Sequence, residues 1–86
     1  MARSVFTDQY ERFRELIVEA RKKAGLTQVQ LAQELRRPQS FVSKYELGER
    51  RLDVIEFLEV STALGIKPEN FIKKLRKQGA QTRSGS

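Results

Sequence analysis

The chain of 86 residues is long enough for one domain with a modest core, and a core of that size gives limited stability unless the protein dimerises. Cysteine and histidine are both missing from the sequence, which excludes disulfides, thiolate and imidazole catalysis and the usual zinc ligand sets. The net charge of +6 and the pI of about 10.1 favour an anionic partner, of which nucleic acid is the commonest.

The first predicted helix is amphipathic and covers residues 8–24. Asp8 and Glu11 have the spacing of a capping pair at its start, and Gly25 ends it. The basic residues at positions 21–23 lie in its last turn, where they oppose the negative end of the helix dipole. Its apolar residues recur every three or four positions and share one face: Phe6, Tyr10, Phe13, Ile17, Ala20 and Ala24.

A second helix is predicted to begin at Thr27. Thr27 and Gln30 have the spacing of a capping box, which satisfies backbone donors at the helix start. Its apolar residues again recur at helical spacing: Val29, Leu31, Ala32 and Leu35.

A third helix is predicted over Pro38–Leu47, because proline suits the first position of a helix and Gly48 can end one. Val42 and Tyr45 lie three residues apart on its inner side. The apolar spacing of the second and third helices makes them pack crosswise around a tight turn. This is the sequence pattern of a helix-turn-helix.

The outer face of the third helix is polar. Ser40, Ser43 and Lys44 point away from the inner side, and Gln39 lies at the exposed N-terminal flank. Such side chains can read base edges in a major groove, since glutamine pairs with adenine and lysine reaches guanine. The alternative is an ordinary solvated face, and only the preceding helix and turn favour the functional interpretation.

A loop and two further helices complete the predicted domain, residues 1–77. Arg50 and Arg51 follow the third helix, where they would lie against a DNA strand if that helix occupied the groove. Asp53 and Glu56 cap a fourth helix that ends at Gly65. A fifth helix begins at 68–69. Residues 78–86 are small and polar and are predicted to form a disordered tail.

Two segments carry a resemblance to a known family: Gly25-Leu26-Thr27-Gln28-x-x-Leu31-Ala32-x-x-Leu35 and Gln39-Ser40-x-Val42-Ser43-Lys44-x-Glu46-x-Gly48. They resemble the phage repressor and Cro (Xre-like) helix-turn-helix family, and the similarity extends over residues 16–75, most of the chain. The resemblance implies a small all-α domain of about five helices that binds operator DNA as a dimer.

The resemblance also implies roles for individual residues. Gln28 matches a position that contacts a phosphate and braces the recognition helix. Arg21 and Glu46 match a structural salt bridge between the first helix and the recognition helix. Phe71 and Leu75 lie in the region that often forms the dimer contact, although they could equally close the core of one monomer. The base-reading positions correspond to Gln39, Ser40, Ser43 and Lys44.

Two positions depart from the family pattern. The family commonly has glycine in the turn, where this chain has Arg36. A left-handed conformation costs a residue other than glycine about 1 kcal/mol, so a different turn with a tilted third helix is an open alternative. Leu47 is apolar where relatives are often polar or basic, and its predicted position is on the outward side.

The sequence therefore predicts a cytoplasmic transcriptional regulator that binds an inverted-repeat operator as a homodimer. We expect it to repress transcription. No cofactor or metal is expected, and enzymatic activity is disfavoured because the chain lacks a phosphate-binding glycine loop and a nucleophile-base pair. No apolar run approaches the ~20 residues needed to span a bilayer. The alternatives are a module that acts through a protein partner, antitoxin-like or coactivator-like, and a non-specific nucleic-acid binder.

Overall fold

Five helices follow one another along the chain in the computed structural model, which describes residues 2–82 and the side chains of residues 8–77. They are α1 (Ala2–Lys23), α2 (Gln28–Leu35), α3 (Gln39–Leu47), α4 (Val54–Leu64) and α5 (Pro68–Thr82). The predicted all-α, five-helix architecture is confirmed, with α2 and α3 forming the helix-turn-helix. No helix within residues 2–82 combines the length and apolar character needed to cross a membrane.

Local capping sets the starts of α2 and α4. Thr27 Oγ1 accepts from the Gln30 N–H at 3.0 Å, while the Gln30 side chain accepts from the Thr27 N–H at 2.9 Å. Asp53 and Glu56 form the same reciprocal pair at the start of α4, with distances of 2.7 and 3.0 Å. Thr27 and Asp53 are the N-caps, so the two helices begin one residue later, at Gln28 and Val54, because each capping box satisfies two backbone donors within four residues.

The predicted start of α1 at Asp8 is wrong. The helix begins at Ala2, and Asp8 lies exposed inside it. The first seven residues contain no glycine or proline that would stop a helix, and an acidic pair three residues apart also suits an exposed helical face. The side chain of Phe6, which was placed on the apolar face, lies outside the described side chains.

Two other boundaries differ slightly from the predictions. Pro38 is the N-cap of α3, with φ −63° and ψ 152°, so that the helix starts one residue later at Gln39. α5 continues to Thr82, beyond residue 78, where the tail was expected to begin. Residues 83–86 of that tail lie outside the described residues.

The turn between α2 and α3 has the left-handed residue that is usual in helix-turn-helix proteins, although it is an arginine. Arg36 has φ 58° and ψ 44°, and its N–H and that of Arg37 donate to carbonyls in the last turn of α2. Gly48 takes the same conformation after α3, with φ 84°. The alternative of a different turn at Arg36 is therefore not realised.

All five helices contribute to one core. Phe13, Phe57 and Phe71, from α1, α4 and α5, form an aromatic cluster with ring centroids 5.1–5.7 Å apart. Such offset or edge-on pairs stabilise beyond their buried area. The buried apolar side chains are Leu16, Ile17, Leu31, Ala32, Phe41, Val42, Tyr45, Phe57, Val60, Leu64 and Phe71. This core holds α3 against α1 and α2 with one face outward.

Candidate nucleic-acid interface

The outward face of α3 carries the four predicted base-reading residues. Gln39, Ser40 and Lys44 are exposed, and Ser43 is half-exposed. The Ser43 hydroxyl donates to the Ser40 carbonyl at 3.3 Å, which keeps this side chain close to the helix. The structure therefore brings the four residues together on one surface of a helix nine residues long.

The opposite face of α3 is more extensively buried than the sequence analysis inferred. Val42 and Tyr45 are fully buried as expected, and Phe41 and Glu46 join them. The spacing of four residues between Phe41 and Tyr45 was the available signal, and their rings pack edge-on at 5.4 Å. These four buried side chains, at two adjacent pairs of positions one turn apart, fix the rotation of α3 about its axis.

Glu46 is a buried carboxylate, and Arg21 neutralises it. Arg21 Nε donates to Glu46 Oε2 at 2.7 Å, and Nη2 donates to Oε1 at 3.1 Å. Arg21 Nη1 also donates to the Leu26 carbonyl at 2.9 Å, and the hydrogen bond with Glu46 raises the pKa of Arg21. This pair, singled out in the sequence, joins the last turn of α1 to the recognition helix.

Gln28 connects the same carboxylate to the predicted base-reading residue Gln39. Its Nε2 donates to Glu46 Oε1 at 2.9 Å, and its Oε1 accepts from Gln39 Nε2 at 3.3 Å. A carboxylate can only accept, so Gln28 must direct its NH₂ group to Glu46 and its oxygen to Gln39. The amide of Gln39 therefore keeps its oxygen and one N–H available to a ligand.

Arg14 fastens the C-terminal end of α3 to α1. It donates to the backbone carbonyl of Glu46 and forms an ion pair with Glu11. A Cβ atom on Gly48 would lie 3.1 Å from Arg14 Cδ, so the glycine permits close approach as well as the left-handed φ. The sequence analysis assigned no role to Arg14, because its contact is with a backbone 32 residues away.

Two arginines stack on the ring of Phe41. The guanidinium carbons of Arg37 and Arg50 lie 4.5 and 4.9 Å from the ring centroid. Each is also paired with α4: Arg37 contacts Glu59 at 3.1 Å, and Arg50 donates to both Glu56 oxygens at 2.9 and 2.7 Å. The predicted phosphate ligand Arg50 is thus held beside the recognition helix by partners of its own.

The bidentate ion pair with Arg50 also lowers the pKa of Glu56. Hydrogen bonding from Arg50 and from the Asp53 backbone lowers the pKa of Glu56 to about 2. Glu56 therefore remains ionised at any pH at which the protein would encounter DNA, and Arg50 retains its partner.

Arg51, the second predicted phosphate ligand in the loop, is more available. Its side chain is exposed, and its guanidinium carbon lies 4.7 Å from the ring centroid of Tyr10. The Tyr10 hydroxyl donates to the Arg50 carbonyl at 3.4 Å, and burial raises the pKa of Tyr10. Tyr10 of α1 thus supports the loop between α3 and α4.

The residues assigned to a dimer contact occupy different environments. Phe71 is only 7% exposed and packs in the aromatic cluster, which matches the alternative of closing the monomer core. Leu75 is half-buried. Leu47 is 65% exposed, on the outward side where the sequence placed it. The apolar residues most open to solvent on α4 are Val54, Ile55 and Leu58, at 71, 63 and 42%.

Comparison with known proteins shows to which protein family the chain belongs. A helix-turn-helix family model matches residues 17–71. The chain is also similar to a solved structure, that of an XRE-family like protein from Pseudomonas syringae pv. tomato str. DC3000. The two sequences are 44% identical, and the structures superpose with a TM-score of 0.86. The match covers 90% of this chain and 94% of the other. None of the curated proteins matches. The chain belongs to the XRE-like helix-turn-helix family, whose members are DNA-binding regulators and not enzymes.

Proposed function

We propose that this protein is a sequence-specific binder of double-stranded DNA that places α3 in the major groove and represses transcription from the sites it occupies. The observation that carries the proposal is the chain of hydrogen bonds from Glu46 through Gln28 to Gln39. It presents a preoriented amide on the solvent side of a rigidly packed helix. Repression would follow from occupancy alone, and the cytoplasm is the proposed location.

Base readout is assigned to the outward side chains of α3. The free oxygen and N–H of Gln39 match the N6 donor and N7 acceptor that adenine presents in the major groove. Lys44, five residues later on the same outward side, has the reach and charge for guanine acceptors. Ser40 and Ser43 are short enough to let the helix approach the bases closely.

Phosphate contacts are assigned to the two edges of this face. Gln28 lies at the first residue of α2, where free backbone N–H groups favour an anion. Arg50 and Arg51 lie in the loop after α3, and their charges would neutralise backbone phosphates. Phosphate-binding groups then lie on both sides of the base-reading surface, and they fix the position of the protein on the duplex without reading its sequence.

A homodimer on an inverted repeat completes the proposal. Single modules bury limited surface on DNA, and two-fold dimers bind half-sites about 10 bp apart. Leu75 and Val54 line one shallow groove of about 300 Å³, and Ile55 and Leu58 extend the apolar surface along α4. We propose these four residues as the contact with the second copy, with Phe71 supporting them from the core.

Selection of bound sequences from random duplex DNA tests the proposal. Gln39→Ala and Lys44→Ala should each lose about 1–3 kcal/mol on the selected site and relax the preference at one base position. Gln33→Ala and Lys73→Ala are the matched controls, because both residues are exposed and lie outside α3. Gln28→Ala should weaken binding with little change in salt dependence, since no charge is removed.

Three outcomes would contradict the proposal. Wild-type affinity and preference in both α3 variants would show that α3 is not the reader. Complete competition by unrelated duplex would indicate a non-specific nucleic-acid binder. Failure to enrich any duplex would favour a module that acts through a protein partner.

A further inference from the structure

A groove of about 580 Å³ lies on a part of the surface that the proposed DNA contacts do not use. Its lining comes from the second half of α1 with Ala24 after it, the end of α4, the connection between α4 and α5, and the first half of α5. Among the described residues, α2, α3 and the loop after α3 contribute nothing to the lining. An occupant of this groove therefore need not displace DNA from the recognition helix.

The floor of the groove is apolar. Its apolar lining residues are Leu16 and Ala20 of α1, Leu64 and Ile66 at and after the end of α4, and Phe71 of α5. Leu16, Leu64 and Phe71 are core residues whose outer edges reach the groove at 7–8% exposure. A ligand here would meet apolar surface that the fold itself already holds rigid.

The rim of the groove is basic. Lys23, Lys67 and Lys74 line it, and Glu19 is the single acidic residue among them. All three lysines are exposed, and among the described side chains no carboxylate lies within 4.0 Å of their ammonium groups. Asn70 adds a side-chain amide that can both donate and accept. The rim thus offers two net positive charges around an apolar floor.

We propose that this groove binds an acidic, apolar peptide segment of a partner protein. Leucine or phenylalanine side chains of the segment contact the floor, and its aspartate or glutamate side chains pair with the three lysines. The groove is open along the surface, which suits a helical or extended segment better than a small molecule, whose surface is usually 70–90% buried in its site. The assignment is independent of DNA binding and adds a second interaction to a regulator.

The test uses the full chain and a fluorescein-labelled peptide of about 14 residues in which leucine and phenylalanine follow helical spacing among aspartates and glutamates. Fluorescence anisotropy should show saturable binding. Lys67→Glu with Lys74→Glu should weaken it at least about tenfold, since each reversal replaces an attraction by a repulsion. The matched control, Lys73→Glu with Lys77→Glu, changes net charge equally on α5 but outside the lining, and should change binding less than about twofold.

A second variant tests whether the peptide occupies the groove, without altering the charge of the protein. Ala24 lines the groove and is exposed, so Ala24→Trp fills the space while the fold is retained, as circular dichroism would verify. It should reduce peptide binding at least about tenfold. Amide chemical shifts of the wild-type protein should change in residues 64–74 on addition of the peptide, with and without operator DNA bound.

Several results would overturn the proposal. Equal weakening by the two double variants would mean attraction by overall charge. A peptide with serine for every leucine and phenylalanine that binds as well as the original would mean that the apolar floor is not used. Binding of sodium decanoate with sensitivity to Lys67→Glu and Lys74→Glu, but no binding of the peptide, would assign the groove to small apolar anions.

Discussion

Arg21 in the last turn of α1 and Glu46 in α3 form a bidentate ion pair with distances of 2.7 and 3.1 Å. Their side chains are 12 and 6% exposed, so both charges are largely removed from water. Because the Glu46 carboxylate also accepts from Gln28, one buried group joins α1, α2 and the recognition helix. The orientation of the proposed reading face depends on this pair.

Removal of one partner of the Arg21–Glu46 pair should destabilise the folded protein. Arg21→Met leaves the Glu46 carboxylate buried without its counter-charge and should lower the free energy of unfolding by about 3 kcal/mol. The double variant Arg21→Met with Glu46→Leu should recover most of that loss. Urea unfolding of the two single variants and the double variant measures the coupling, and additive losses would show that the pair does not act as a unit.

Arg50 and Arg51 should differ in their effect on salt dependence. Arg51→Ala should reduce the slope of log affinity against log salt by about 0.9, because an exposed charge contacts a phosphate. Arg50→Ala should change the slope less, since Glu56 already compensates its charge, and should also lower stability. Arg76→Ala, on the exposed side of α5, is the control. A change of base preference in Arg51→Ala with an unchanged slope would remove it from the phosphate contacts.

Substitutions on α4 should separate dimerisation from folding. Ile55→Glu and Leu58→Glu alter side chains that are 63 and 42% exposed, so the monomer should fold normally while the dimer dissociates. Val29→Glu, at an apolar position 47% exposed on α2, should leave the dimer intact. Analytical ultracentrifugation measures all three. A dimer that survives both α4 changes but not Leu75→Glu would shift the contact to α5.

The left-handed arginine in the turn offers a stabilising substitution. Arg36→Gly should raise the free energy of unfolding by about 0.5–1 kcal/mol, since glycine adopts a φ of 58° without the penalty that a Cβ imposes. Arg36→Asn should give a smaller increase, and Arg36→Ala, which removes the charge but keeps the Cβ, should give none. Chemical denaturation compares them, and an equal increase in Arg36→Ala would assign the effect to charge instead of backbone strain.

The depressed pKa of Glu56, about 2, makes part of the stability depend on pH. A lowered folded-state pKa contributes stability that is fully present above the ordinary value near 4.5 and is lost as pH falls toward 2. Wild type should therefore exceed Glu56→Gln by about 1 kcal/mol at pH 7, and the difference should shrink between pH 5 and 2. Urea unfolding across this range checks it, with Glu34→Gln on the exposed face of α2 as control. A difference that is constant with pH would contradict the assignment.

The sequence determined those features that depend on neighbouring residues. The capping boxes of Thr27 with Gln30 and of Asp53 with Glu56 marked two helix starts correctly, because their hydrogen bonds span only three residues. Gly48 marked a helix end because its positive φ is a local property. The spacing of Val42 and Tyr45 predicted part of the inner side of α3, to which the structure adds Phe41 and Glu46.

Tertiary structure decided what those local signals leave open. The sequence left the turn at Arg36 open, and in the folded chain Arg36 adopts the left-handed conformation while its N–H and that of Arg37 donate to carbonyls of α2. The stacking of Arg37 and Arg50 on Phe41 joins residues from a turn, a loop and a helix, and no spacing rule predicts it. The same holds for the path from Glu46 to Gln39, since hydrogen bonds between distant residues form only after the core has brought their helices together.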